Sequence, residues 1–309
     1  MKNDNIIYSI IIPHHNIPHL LQRCLDSIPI RDDIQVIIVD DNSDDNIVDF
    51  DNFPGKERSD VQLVFTKESK GAGYARNVGL SYAKGQWVLF ADADDYFNYC
   101  INDILDEYIH SESDIVFFNA NSVDSQTYLN ENRTKHLNEY ILMYKKNRER
   151  KKAIDLLKYK FGEPWSKLIK RSLIISNKIK FDEVLIHNDT TFSYLVSFYS
   201  SKISVDERAL YCVTKRNGSV SRTIDDVRLL TRIEVFSRSS KFFKEHGICA
   251  DENRHYLQLA YCYWYKKPVF KRGFILMREK GYKKMEIILG MVFPSVKLLL
   301  KNLLGYKKG

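Results

Sequence analysis

The run Trp87-Val88-Leu89-Phe90-Ala91 leads straight into Asp92-Ala93-Asp94-Asp95, and this junction constrains the fold more than any other stretch of the chain. Five apolar residues behind Gly85 read as a buried strand that delivers three acids at its carboxyl end. On an extended chain Asp92 and Asp94 point to the same side. In open α/β sheets ligands bind in the crevice outside the carboxyl ends of the strands. Two carboxylates so placed repel unless a cation lies between them. A hard divalent ion that takes one or two carboxylates plus water and phosphate oxygens suits the pattern. A polar strand end with Asp95 capping the next helix satisfies the same residues.

Neighbouring segments repeat the theme. Tyr8-Ser9-Ile10-Ile11-Ile12-Pro13 reads as a buried strand closed by its proline, and residues 18–28 carry Leu20, Leu21, Cys24, Leu25 and Ile28 at helical spacing. Residues 34–39 form a second strand ending in Asp40-Asp41-Asn42-Ser43. Strand, helix and strand make a right-handed βαβ unit with a parallel pair, the usual start of a nucleotide-binding half. A third strand is expected at 61–65, a helix at 99–110, a strand at 114–118, a polar surface excursion at 119–138 and a returning strand pair at 203–212. Lys70-Gly71-Ala72-Gly73 precedes a helix containing Arg76. Glycines there let backbone N–H groups approach an anion, with Lys70 and Arg76 adding charge, although a flexible turn with exposed bases fits equally.

The formal charge of +7 is local. From Lys266 onward twelve Lys/Arg stand against two acids, Glu279 and Glu286, which leaves the rest of the chain slightly acidic. Beyond the apolar residues 287–296, interrupted by Gly290 and Pro294, Val296, Leu299, Leu300 and Leu303 fall on one helical stripe with Lys297 and Lys301 on another. A basic amphipathic helix suits an anionic membrane surface; a helix packing back on its own domain has the same pattern. No stretch reaches the roughly 20 apolar residues that span a bilayer. The five scattered cysteines lack a C-x-x-C pair, which points to reduced thiols and a cytoplasmic protein. No DNA- or RNA-binding motif accompanies the basic tail, so nucleic acid is not an expected partner.

Several ordered motifs together resemble the family 2 glycosyltransferases of the GT-A fold, the group that builds bacterial surface polysaccharides. Ser9 to Pro13 with Asn16, Val39-Asp40-Asp41-Asn42-Ser43, Gly71 to Asn77, Phe90 to Asp95, Trp165-Ser166-Lys167-Leu168, Asn188-Asp189-Thr190 and Arg216-Asn217-Gly218-Ser219 fall in that family's order. The resemblance implies a Rossmann-like α/β domain over residues 1–222, a mostly parallel sheet flanked by helices, and a helical carboxyl-terminal region over 223–309. It departs from the family at His15, where a tyrosine is common, and at Asn188, where an acid is common.

The resemblance also implies roles. Asp41 would hold the base of a nucleotide sugar with His15 against it, Pro13, Asn16 and Asn77 lining the site and Asp92 orienting the ribose. Asp94 and Asp95 would hold Mn²⁺ or Mg²⁺ on the diphosphate, with Arg76 and Lys70 adding charge. Asp189 would be the general base toward a saccharide or lipid-linked acceptor in an inverting transfer, with Glu163 or Asp182 next in line. On spacing alone Asp189 is a helix cap. Trp165 and Lys167 are candidates for the acceptor site, and Trp165 reads equally as core. A lipid-linked acceptor would place the enzyme peripherally at the inner face of the plasma membrane. A nucleotidyltransferase would need a glycine-rich loop with a lysine after the first strand, where this chain has Pro13-His14-His15-Asn16. A non-catalytic nucleotide-binding scaffold would tolerate a broken acid motif, and Asp41, Asp94 and Asp189 are all present.

Overall fold

Continuous apolar runs become the centre of a sheet because both of their faces can be covered by helices. β1 (Tyr8–His14) is buried at every position and pairs in parallel with the equally buried β2 (Ile34–Asp41), from Tyr8↔Ile34 to His14↔Asp40; α1 (Pro18–Asp26) makes the crossover. β3 (Val61–Thr66) extends the sheet beyond β2; α2 (Ala72–Tyr82) then leads to β4 (Trp87–Phe90), which pairs in parallel with the other edge of β1. The carboxyl ends of β1, β2 and β4 therefore lie side by side.

The chain continues through β5 (Tyr96–Phe97), α3 (Ile101–Tyr108), β6 (Ile115–Asp124), α4 (Lys135–Lys145), α5 (Arg150–Lys160), β7 (Lys167–Lys170), α6 (Arg171–Ser176), α7 (Thr190–Tyr199) and β8 (Ile203–Lys215). The eight strands are ordered β3-β2-β1-β4-β7-β6-β8-β5. β7 runs antiparallel between β4 and β6, β5 antiparallel to β8, and the other pairs are parallel. An aromatic cluster fixes the residues before and within α7 against the end of β4. Phe90 meets Phe181 and Phe192 edge-on at 5.0 and 5.3 Å, and those two stack at 3.9 Å.

The computed structural model describes residues 6–147, 149–216, 225–250 and 253–303, the side chains of 297, 298 and 300–303 excepted. They divide into two compact units: residues 6–184 with 188–216, and 185–187 with 225 onward. In the second unit α8 (Asp226–Glu245), α9 (Arg254–Tyr265), α10 (Lys267–Glu279) and α11 (Lys284–Leu303) enclose a core of Leu229, Ile233, Leu259, Val269, Met277 and Ile287. The boundary read from the sequence, 222/223, and the motif residues Asn217 to Ser219 lie outside the described residues. Among those described, no helix is long and apolar enough to cross a membrane.

Three expectations change. β1 does not stop at Pro13: pairing with β4 ends at Ile11, but the β2 ladder continues to His14. The polar stretch after Phe118 is not an excursion from its first residue, because β6 runs on to Asp124 beside β8. Its polar side chains find partners there, Asn119 donating to the Glu207 carbonyl at 2.7 Å and Ser122 to that of Glu131 at 2.7 Å. β8 is one strand of 13 residues rather than a returning pair.

Candidate active site

At the ends of β1 and β2 the polar groups are locked together. His14 is buried with Nδ1 2.7 Å from Asp40, while its Nε2 accepts the Ile17 amide at 3.2 Å. An accepting Nε2 makes Nδ1 the protonated nitrogen, so a neutral His14 donates to Asp40. Burial pushes the Asp40 carboxyl up, but bonds from His14 and from the Ser43 hydroxyl and amide outweigh it and hold the carboxyl below its usual value. Ser43 Oγ in turn accepts the Asn16 amide at 2.8 Å, and Asn16 sits in the left-handed region at φ 58°. The exposed His15 is held at both ring nitrogens, by the Asp41 carbonyl at 2.9 Å and Asn16 Nδ2 at 3.1 Å.

Asp41, expected at a nucleobase, is buried. Its two oxygens accept from Thr66 Oγ1 at 2.9 Å and from the Gly71 amide at 2.5 Å. The carboxylate thus fixes the glycine turn ahead of α2, where Gly71 has φ +85°. Gly73 has a different reason to be glycine. A Cβ there would stand 2.0 Å from the Asp182 carbonyl oxygen, so only glycine lets α2 approach the segment that precedes α7.

Arg76 is the tie between three motifs. Its buried guanidinium donates through Nη2 to Asp92 at 2.5 Å and through Nη1 to Asn188 Oδ1 at 2.9 Å, and lies over the Phe181 ring at 5.4 Å. Asn77 clamps the same segment, donating to the Phe181 carbonyl at 3.0 Å and accepting its amide at 2.8 Å. Lys70 is exposed, paired with Glu68 at 3.0 Å.

The three acids diverge. The Asp92 amide donates to Tyr211 OH at 2.8 Å, and Asp94 carries an ion pair with Arg216 at 2.8 Å while its carbonyl accepts from Arg23 and Thr214. Asp95, expected beside Asp94 at a metal, is instead turned inward: it is 3% exposed and accepts the Thr214 amide at 2.7 Å. Burial, then Asp94 and Asp92, raise its carboxyl well above the usual range. Asp94 is raised too, by burial and by Asp92, against the pull of Arg216. Asp92 and Asp94 are both partly exposed just past the carboxyl end of β4, where the chain turns and the Asp95 amide donates to the Asp92 carbonyl at 3.0 Å. Among the described residues no three His, Cys, Asp or Glu side chains converge on one point. Two neighbouring carboxylates, one of them raised by burial and then by the other's charge, nevertheless fit a hard divalent ion completed by water and phosphate oxygens.

Asp189 occupies the N-cap position of α7, and its carbonyl accepts the Ser193 amide at 2.9 Å, but its carboxylate caps nothing. Burial raises that carboxyl to about 6; Glu163 and Asp92 add to the rise and Arg76 opposes it. The adjoining loop is fastened by Lys167, whose buried ammonium donates to the carbonyls of Phe161 at 2.6 Å and Glu163 at 2.7 Å. Burial lowers Lys167 to about 7. Trp165, 8% exposed, stacks on Tyr211 at 5.4 Å. Trp165 takes the core position that its sequence left open beside an acceptor role, and Lys167, a candidate for the acceptor site, is buried against the loop carbonyls. Glu163, the alternative base, has a buried, unpartnered Oε2, whereas Tyr211, Thr214 and Arg23 join the site with nothing local in the sequence to mark them.

The family model described as Glycosyl transferase family 2 matches residues 9–176, just over half the chain. The poly(ribitol-phosphate) beta-glucosyltransferase of Bacillus spizizenii is 31% identical over 220 residues, 68% of this chain but only 32% of that protein. The chain thus spans about a third of that relative's length. Glycosyltransferase GlyG of Streptococcus pneumoniae is 25% identical over 239 residues, 75% of this chain and 79% of the relative. Among solved structures, residues 1–349 of TarS from S. aureus in complex with UDP-GlcNAc superpose with a TM-score of 0.60 at 18% identity, covering 98% of this chain and 93% of that one. A mannosyltransferase from Pyrobaculum calidifontis in complex with GDP-Man and Mn²⁺ gives 0.53 at 15% identity, covering 99% and 90%. These likenesses establish the GT-A fold.

Proposed function

The chain belongs to glycosyl transferase family 2, and from that premise we propose that it moves a sugar from a nucleoside diphosphate sugar to a hydroxyl of a saccharide or lipid-linked acceptor. We place the reaction in surface polysaccharide synthesis, a reading supported by similarity to a protein named as a poly(ribitol-phosphate) beta-glucosyltransferase. The observation that carries the reading is the uncapping Asp189 carboxylate, raised to about 6 and joined through Asn188 and Arg76 to Asp92.

In this reading Asp189 takes the proton from the acceptor hydroxyl as that oxygen attacks the anomeric carbon. The bond from that carbon to the diphosphate oxygen breaks in the same displacement, nucleoside diphosphate leaves, and the anomeric centre inverts. A pKa near 6 leaves the carboxylate ionised at neutral pH yet basic enough to accept a proton. Asp92 and Asp94 would hold Mn²⁺ or Mg²⁺, which when bound supplies charge neutralisation at the departing diphosphate. His15, Asn16 and the exposed Lys70 line the nucleotide side, while Asp41 and Asn77 act by holding the Gly71 turn and the Phe181 segment. An acceptor carried on lipid would be met at an anionic membrane face.

Calorimetric titration with nucleoside diphosphate beside a transfer assay tests this. Asp189→Asn should keep its nucleotide affinity and lose roughly 10²-fold or more in transfer, the general-base contribution. Wild-type transfer by a folded Asp189→Asn protein would exclude Asp189 as the base.

A further inference from the structure

α11 carries two apolar faces. One is used within its own unit: Ile287 and Met291 are buried, and a Cβ at Gly290 would lie 2.5 Å from the Tyr256 ring. The other is bare. Met285, Leu289, Val292, Phe293, Val296 and Leu299 are 62, 65, 54, 76, 48 and 40% exposed. At 100° per residue these six fall within an arc of about 120°, along about 21 Å of helix. A helix that only completes a core presents a polar face to water, and a continuous apolar strip there marks an interaction surface.

Charge selects the partner. From Lys266 onward twelve Lys/Arg stand against two acids, and Lys266, Lys267, Lys271, Arg272, Lys283 and Lys284 are exposed. A second copy of the chain would bring that positive charge against itself, whereas an anionic surface complements it. Tyr263, Trp264 and Tyr265, 43 to 46% exposed, directly precede Lys266-Lys267. Amphipathic rings beside bases are what the water boundary of a bilayer favours. No described helix can cross a membrane, so α11 would have to lie in the surface plane.

We propose that α11 docks the protein on an anionic lipid bilayer, the stripe over residues 285–299 entering the headgroup boundary and the exposed bases of this unit meeting lipid phosphates. The docking takes its purpose from the lipid-linked acceptor suggested above, but the binding itself needs no catalysis. The test is flotation of the full chain with phosphatidylcholine vesicles holding about one third phosphatidylglycerol, compared with pure phosphatidylcholine, at low and high salt. Nucleoside diphosphate release, melting temperature and light scattering are measured on the same preparations.

Wild type should float with the anionic vesicles and be weakened by salt. Leu289→Ser/Phe293→Ser, both exposed positions, should lose at least about tenfold in partitioning with unchanged melting and release. Ile30→Ser, at a 69% exposed apolar residue of the other unit, should float like wild type. Flotation without any donor cleavage would support docking while defeating the transferase reading. Failure of wild type to float, or undiminished flotation of the double variant, overturns the proposal. So does a wild-type dimer that the double variant splits without any flotation, since a second copy then covers the stripe.

Discussion

The site should cost the fold stability, and Asp189 is where that cost can be measured. A carboxyl raised from 3.8 to about 6 by burial is less favourably ionised in the folded chain than in the unfolded one. At about 1.4 kcal/mol per unit the full cost is about 3 kcal/mol, reduced to about 2 by water at the partly exposed site. The sign follows from linkage. Below the unfolded value both states are protonated and nothing is lost. As pH rises from 3.8 through about 6 the unfolded chain ionises first, so stability falls across that window and stays reduced above it. Asparagine does not titrate. Asp189→Asn should therefore match wild type near pH 4 and exceed it by about 2 kcal/mol at pH 8, a rise of about 4 to 8 °C in melting temperature for a unit of this size. Urea unfolding at closely spaced pH values between 4 and 8 measures the difference directly. A variant no more stable at pH 8 than at pH 4, relative to wild type, would refute the strained carboxylate and with it the tuning of the base.

Other perturbations have equally definite outcomes. Gly73→Ala forces a Cβ to within 2.0 Å of the Asp182 carbonyl, so it should destabilise the first unit by about 2 kcal/mol or more, seen as a lower urea midpoint. Arg76→Lys cannot reach Asp92 and Asn188 together; transfer should fall at least about tenfold, with a lower melting temperature from the groups left unpaired. Transfer should vanish in excess EDTA and return with Mn²⁺ or Mg²⁺, and Asp94→Ala should remove it irrespective of added metal; full turnover in EDTA would exclude the ion.

What the sequence discloses and what it withholds divide along physical lines. β1, β2 and β4 are legible because a strand buried on both faces must be an unbroken apolar run. The chain turns just past β4, the Asp95 amide donating to the Asp92 carbonyl at 3.0 Å, so strand alternation does not set the directions of these acids. Only the placing of Asp92 and Asp94 at the strand's end is legible. Asp95 is not, since its direction is decided by the Thr214 amide, 119 residues away. Arg76 advertises a cation near a glycine turn, but its partner Asn188 lies 112 residues on and turns it into a brace. Trp165 and Lys167 have side chains that suit a sugar site or a core, and only the packed loop around them decides. β6 outran its expected end because Asn119 and Ser122 meet their partners across the sheet and the loop, which composition cannot show.

A transferase with Asp189 as its base shows itself in nucleoside diphosphate release from a panel of nucleotide sugars, with saccharide acceptors and a divalent ion present, followed for wild type and Asp189→Asn side by side. Consumption of at least one donor by wild type is expected, with release by the folded variant lower by roughly 10²-fold or more. Equal release by the two proteins, or no donor consumed by a wild-type chain that binds nucleoside diphosphate, would contradict it.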